Sequence, residues 1–154
     1  MKKLRVYLDT SIISHLDAPD TPEKMEETIA LWNEIDQFDV FISDILIEEL
    51  ENCSEPKKSK LYEFLRDIDI TRIEETEEAI ALTGKYLEYG VLNEKSRDDC
   101  RHIALATVSE CDYIISWNFK HFVNIKTIDK VQAVNKLLGY RDIKIVPPPM
   151  LFRG

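Results

Sequence analysis

Arg5-Val6-Tyr7-Leu8-Asp9-Thr10-Ser11-Ile12-Ile13 is the stretch on which the reading of this chain turns. Val6, Tyr7 and Leu8 form an unbroken apolar run of good strand formers, which suits a strand buried on both faces. The run stops at Asp9, and Thr10 and Ser11 then offer hydroxyls to cap a following helix. A carboxylate therefore sits where a central strand hands over to a helix, the edge at which open parallel sheets gather their ligands. Asp9 fits equally well as a plain N-cap, so its meaning depends on what else the chain brings to that edge.

Outward from this strand, apolar strand-like runs alternate with helical patterns. Thr21-Pro22-Glu23 reads as N-cap, proline at the first helical position and a first-turn acid. Met25, Ile29, Trp32 and Ile35 then carry one helix face to about Gln37. Strands are expected over 38–43, 68–73, 113–116 and 143–146. Helices are expected over 44–51, 56–67, 76–89, 97–110 and 128–138, with Ile80, Thr83, Tyr86 and Leu87 on the packed side of the helix over 76–89. This alternation predicts a parallel sheet with helices on both faces. No repeat or linker divides the chain, so 1–154 reads as one domain. Its tail 147–154 is expected to be extended and to pack on a neighbour, a motive for a two-fold homodimer.

Composition narrows the function. The chain has 154 residues and a formal net charge of −9. That charge opposes broad non-specific adhesion to nucleic acid, which Lys and Arg drive. It leaves room for a cluster of acids that holds divalent metal against a phosphate. No apolar run spans a membrane and no signal peptide is visible. Three cysteines without C-x-x-C spacing read as reduced thiols, so a cytoplasmic location is expected.

Two further segments carry acids toward the sheet. In Ser43-Asp44-Ile45-Leu46-Ile47-Glu48-Glu49-Leu50-Glu51, Glu49 shares the apolar side of Ile45 and Leu46. Glu48 and Glu51 look solvated, and Asp44 looks like the helix cap. In Arg97-Asp98-Asp99-Cys100-Arg101-His102-Ile103-Ala104-Leu105-Ala106, Asp99, Ile103 and Ala106 share a face, with Asp98 as cap. His102 fits a hydrogen-bonding role inside the fold better than a ligand. In Ser116-Trp117-Asn118-Phe119-Lys120-His121 another strand ends at polar groups, and Trp117 fits either the core or a stacking face. Asp9, Glu49, Asp99 and Asn118 together describe oxygen ligands from separate segments converging on a site for Mg²⁺ or Mn²⁺.

With those residues in view, the chain resembles the PIN-domain ribonucleases, of the kind found as VapC-like toxins of toxin–antitoxin pairs. The resemblance runs through Leu8-Asp9-Thr10-Ser11, Ser43 with Glu49-Leu50, Asp99-x-x-His102-Ile103-Ala104-Leu105-Ala106, and Ser116-Trp117-Asn118-Phe119-Lys120-His121. It implies a three-layer α/β/α sandwich with a five-stranded parallel sheet. It also implies a metal-dependent endoribonuclease whose catalytic and metal-binding carboxylates are Asp9, Glu49 and Asp99. Many relatives carry a fourth acid where this chain has Asn118, which would ligate weakly or through water.

Thr10 or Ser11 would hold a water or phosphate near the metal. Ser116, Trp117, Lys120 and His121 would contact RNA, through charge and base stacking. Water activated by Mg²⁺ or Mn²⁺ would attack an RNA phosphodiester. An antitoxin protein and a homodimer are the implied partners. Two rival readings remain: a catalytically weak or inactive PIN-fold interaction module binding RNA or a protein partner, and a phosphotransferase using Asp9 as nucleophile. The second needs another acid two residues on, where this chain has Ser11.

Overall fold

The computed structural model describes residues 2–153, the last two by their backbone alone. Met1 and Gly154, the ends of the expected domain, lie outside the described residues. Five strands form one parallel sheet: β1 (Leu4–Leu8), β2 (Phe38–Ser43), β3 (Thr71–Ile73), β4 (Tyr113–Ile115) and β5 (Lys144–Val146). Their order is β3-β2-β1-β4-β5, so β1 is central and the chain reverses direction across the sheet between β1 and β4. Val6 pairs with Val40 on one side and Tyr113 on the other.

The period-2 alternation of the strands divides the core. Val6, Leu8, Val40, Ile42, Ile115 and Val146 face one layer, built from α1 (Thr10–Ser14), α2 (Pro22–Asn33), α3 (Asp44–Glu51) and α4 (Lys57–Arg66). Tyr7, Phe41, Ile114 and Ile145 face the other, built from α5 (Glu77–Glu88), α6 (Arg97–Val108) and α7 (Ile125–Leu138). This is the expected α/β/α sandwich with a five-stranded parallel sheet, and both faces are covered, as a parallel sheet requires.

Several local expectations are corrected. The tail is not extended: residues Pro148–Arg153 form a short helix, α8, that packs on α2 of the same chain, with Leu151 against the core. Three consecutive prolines permit this because their fixed φ suits a first helical turn. The tail thus has an intrachain partner and supplies no motive for a dimer.

Strand β3 spans only Thr71–Ile73, where its pairing with Phe41–Ser43 of β2 ends. In α5 the packed residues are Ala79, Leu82, Thr83 and Tyr86, while Ile80 is 55% exposed. Asn124 caps α7 through Thr127 N, which starts that helix at Ile125 rather than 128.

Caps also move by one residue. Ser43, not Asp44, caps α3, its Oγ accepting from Leu46 N at 3.2 Å. Asp44 instead binds the Arg72 guanidinium, and Asp98 binds Arg101. Thr21 makes no side-chain cap to α2, although Pro22 opens the helix as expected.

Ser43 has a second partner, since the Tyr7 hydroxyl lies 2.8 Å from its Oγ inside the core. Ser43→Ala should therefore remove a helix cap and strip the buried Tyr7 hydroxyl of a partner, together destabilising by about 2 kcal/mol. The urea midpoint should fall at unchanged m, and a midpoint equal to wild type would show that neither contact matters.

Candidate active site

The carboxyl ends of β1 and β4 flank the reversal of strand order, where open α/β sheets place their ligand crevice. A cleft of about 320 Å³ opens there, lined by Asp9, Thr10, Ser11, Ser14, His15, Glu49, Asp99, His102 and Asn118. Asp9, Glu49, Asp99 and Asn118 come from four separate segments: the ends of β1 and β4, and the helices α3 and α6. Glu49 and Asp99 reach the cleft, whereas Glu48 is exposed, Glu51 turns to Lys58 and Tyr62, and Asp98 points to solvent.

Asp9 is the most buried acid of the group. Its side chain caps α1 by accepting from Ser11 N at 3.1 Å, so Asp9 takes the capping place expected of Thr10 and Ser11. Ser11 Oγ donates to Asp9 Oδ1 at 2.5 Å and Ser116 Oγ to Oδ2 at 3.0 Å. Ser11 Oγ also accepts from Trp117 N at 2.9 Å. Burial pushes the Asp9 carboxyl up to about 6, against the opposing pull of His102 and the two serine hydroxyls. Asp99 is also raised by burial, with His121 pulling the other way.

Each of the other two carboxylates is held by an imidazole. Glu49 Oε1 lies 2.6 Å from His102 Nε2, and His102 Nδ1 lies 2.6 Å from Tyr7 Oη. A continuous line of hydrogen bonds thus runs from buried Ser43 through Tyr7 and His102 out to the half-exposed Glu49. Asp99 Oδ2 lies 2.6 Å from His121 Nδ1. Asn118 Oδ1 accepts from His121 N at 2.9 Å, closing the turn that presents that ring.

Among the described residues, no three Asp, Glu, His or Cys side chains are gathered tightly enough to hold a metal ion as they stand. The donor set still fits a hard cation in kind. Oε2 of Glu49 and Oδ1 of Asp99 make no hydrogen bond among the described residues. Thr10 Oγ1, at the same cleft, is buried with no partner. A buried hydroxyl without a partner calls for a ligand or water.

The remaining expected contacts divide. Thr10 is available, but the Ser11 and Ser116 hydroxyls are committed to Asp9. Trp117 is only 8% exposed and its indole N–H donates to Thr28 Oγ1 at 2.8 Å, so it belongs to the core and offers no stacking face. Its neighbour Phe119, 47% exposed, lies beside it with Lys24 Nζ 5.4 Å from the ring centre. Lys120 faces a different opening, and His121 holds Asp99.

His15 and Ser14 also line the cleft, and the sequence reading singled out neither. Of the two, His15 carries the chemistry. Its Nδ1 lies 2.7 Å from the Ser11 carbonyl oxygen, one helical turn back. A carbonyl accepts, so Nδ1 carries the proton and Nε2 is left for another partner. The i, i+4 spacing of Ser11 and His15 was the available signal.

No protein-family model matches the chain, and no curated protein sequence matches it. Solved structures do. A chain of VapBC2 from Rickettsia felis, bound to a DNA fragment from its promoter, aligns at 16% identity and TM-score 0.58, over 94% of this chain and 98% of that one. The sarcin–ricin-loop-cleaving toxin VapC20 of Mycobacterium tuberculosis aligns at 13% identity and TM-score 0.55, over 90% and 98%. DNA-bound VapBC from Salmonella typhimurium aligns at 17% identity and TM-score 0.55, over 94% and 98%. At these identities the likeness is one of fold.

The raised Asp9 carboxyl fixes the sign of a pH effect. Below about pH 4 Asp9 is protonated in both the folded and the unfolded chain. As pH rises toward about 6 the unfolded chain ionises first, so stability falls, and the loss is complete above that pH. A shift of this size corresponds to roughly 3 kcal/mol. Asp9→Asn, in chelator, should therefore melt like wild type near pH 4 and a few degrees higher at neutral pH. A mutant that melts lower at neutral pH would show that the carboxylate is needed as a structural cap.

Proposed function

We propose, from a chain with the PIN-like fold of the VapC toxins, that this protein is a divalent-metal-dependent endoribonuclease and the toxin of a toxin–antitoxin pair. The observation that carries the reading is the arrival of Asp9, Glu49, Asp99 and Asn118, from four segments, in one cleft at the switch point of the sheet. Three of these are carboxylates, the ligand type that Mg²⁺ and Mn²⁺ prefer. When bound, such an ion supplies positive charge against the phosphate and lowers the pKa of a coordinated water.

The chain's own residues have distinct parts in this reading. Asp9, Glu49 and Asp99 would hold the ion, with Asn118 as a weak or water-mediated ligand. Ser11 and Ser116 fix both oxygens of Asp9. His102 and His121 set the directions of Glu49 and Asp99, and each carboxylate keeps its second oxygen for the ion. Thr10 Oγ1 is the hydroxyl that can bind water or a phosphate oxygen. His15 Nε2 is placed to receive or return a proton at the same cleft, and Phe119 is the exposed ring for stacking a base.

The proposal extends to an antitoxin protein as partner, in keeping with the VapBC complexes of the same fold, to a homodimer and to action in the cytoplasm. The reading as a non-catalytic interaction module takes its support from Asn118, which brings no charge where a fourth acid would.

Cleavage of a single-stranded RNA by purified protein decides between them. Activity should need Mg²⁺ or Mn²⁺, stop in chelator, and fall by two or more orders of magnitude in Asp9→Asn and Asp99→Asn. Added metal should raise the wild-type melting temperature and barely move that of Asp9→Asn. Metal-independent cleavage, or equal cleavage by the mutants, would sink the assignment.

A further inference from the structure

Beside the acidic cleft lies a second opening of the opposite charge. It measures about 450 Å³ and is lined by Lys120, Lys126 and Lys130, by Asn124 and Asn93, and by the apolar Leu87, Val91 and Leu92, with no acid in its wall. One loop makes part of both walls: Asn118 faces the acidic cleft, and Lys120 and Asn124 face the lysine pocket. Residues 118 and 120 are two apart, so their Cα atoms are at most about 7.6 Å from each other.

The pocket gathers positive charge in a chain whose acids outnumber Lys and Arg by 29 to 20. Arg72, Arg97, Arg101 and Arg141 each bind a carboxylate. Lys120 and Lys126 form no ion pair among the described residues, and Lys130 Nζ donates to the Gly90 carbonyl at 3.0 Å. The N-terminus of α7, whose first-turn amides include that of Lys126, opens at the same place and adds its positive dipole end. The loop is held in position, because the Asn124 amide donates to the carbonyls of Phe119 and Lys120 at 3.0 and 2.8 Å.

We propose that this pocket binds backbone phosphates of the RNA strand next to the one presented to the acidic cleft. The proposal rests on the nuclease reading for its choice of ligand and deepens it. A cleft lined by Asp9, Glu49 and Asp99 repels a polyanion, and a cation held there offsets only the phosphate at the cut. The flanking phosphates need positive charge of their own, and lysines without an ion pair line the pocket just beyond Asn118. Apolar Leu87, Val91 and Leu92 give no base-edge donors or acceptors and the Asn124 amide is spent on the loop, so the contact is chiefly one of charge.

The test is binding, measured without cleavage. A fluorescein-labelled single-stranded RNA is titrated in chelator with wild type, with Lys120→Gln/Lys126→Gln, and with a control carrying the same charge loss on α4, Lys57→Gln/Lys60→Gln. The pocket variant changes two exposed side chains without hydrogen-bond partners, so its melting temperature should match wild type. Its affinity should drop about tenfold or more, and the slope of log Kd against log salt should shrink by about 1.4, or 0.7 per lysine on a single strand. The control should keep wild-type affinity and slope.

Equal losses in pocket variant and control, or no RNA binding by wild type in chelator, overturns the proposal. In the cleavage assay the pocket variant should raise KM and leave kcat within about twofold. Lysine-dependent binding without cleavage by any protein would refute the nuclease reading and leave the binding site standing.

Discussion

The burial of one carboxylate, Asp9, at the end of the central strand is the constraint on which the rest of this structure depends. The sheet places it at the switch between β1 and β4, where two layers of helices close off solvent. A buried carboxylate is tolerated only with donors on its oxygens. Three arrive from within reach: the amide and hydroxyl of Ser11 and the hydroxyl of Ser116. Those bonds tie the start of α1 to the end of β4 across the sheet, and Ser11 Oγ extends the tie to the amide of Trp117. One group thus caps a helix, joins two strand ends and lines a cleft. Its elevated pKa is the remaining imbalance, since the donors offset only part of the burial.

The two partner acids are held by a different device. Glu49 and Asp99 stand on helices from opposite layers, α3 and α6, and each meets an imidazole. His102 reaches across the sheet from α6 to Glu49 on α3 while its other nitrogen rests on Tyr7 of β1. The direction of Glu49 is therefore set by the core itself, through Ser43 and Tyr7, and not by a surface side chain. His121 depends on the turn that Asn118 closes. Asn118 thus has a structural part of its own, holding through its Oδ1 the turn that presents His121.

Much of this was legible because it follows from periodicity. The strand alternation separates Val6 and Leu8 from Tyr7, and the helical spacing of Glu49 with Ile45 and of Asp99 with Ile103 aims both acids at the sheet. Single-residue chemistry was less legible. Asp9 and Asp44 compete with adjacent hydroxyls for the same caps, and burial, which sequence does not display, decides that Asp9 caps while Asp44 pairs with Arg72. Trp117 lay between core and stacking surface until Thr28, 89 residues earlier, supplied a partner for its indole. His15 escaped notice because its role depends on Ser11 being a helical turn away inside a five-residue helix. The C-terminal prolines looked like an end to structure, yet they begin α8.

Net charge argues against broad non-specific adhesion to nucleic acid, but a sum over the chain does not describe the local field at the cleft. Exposed charges more than about 10 Å apart are largely screened at ordinary ionic strength. A bound strand therefore feels the groups that line its path far more than the total of −9. Along the loop of residues 116–124 that local field changes sign within two residues, from the carboxylates around Asn118 to the lysines beginning at Lys120. On the proposed reading such a boundary would orient a polyanion as well as bind it, because only one end of the path tolerates negative charge without a metal ion. On the nuclease reading, a scissile phosphate at the acidic end would bind only with that ion, and the same repulsion that weakens overall affinity would confine the reactive position to one place on the strand.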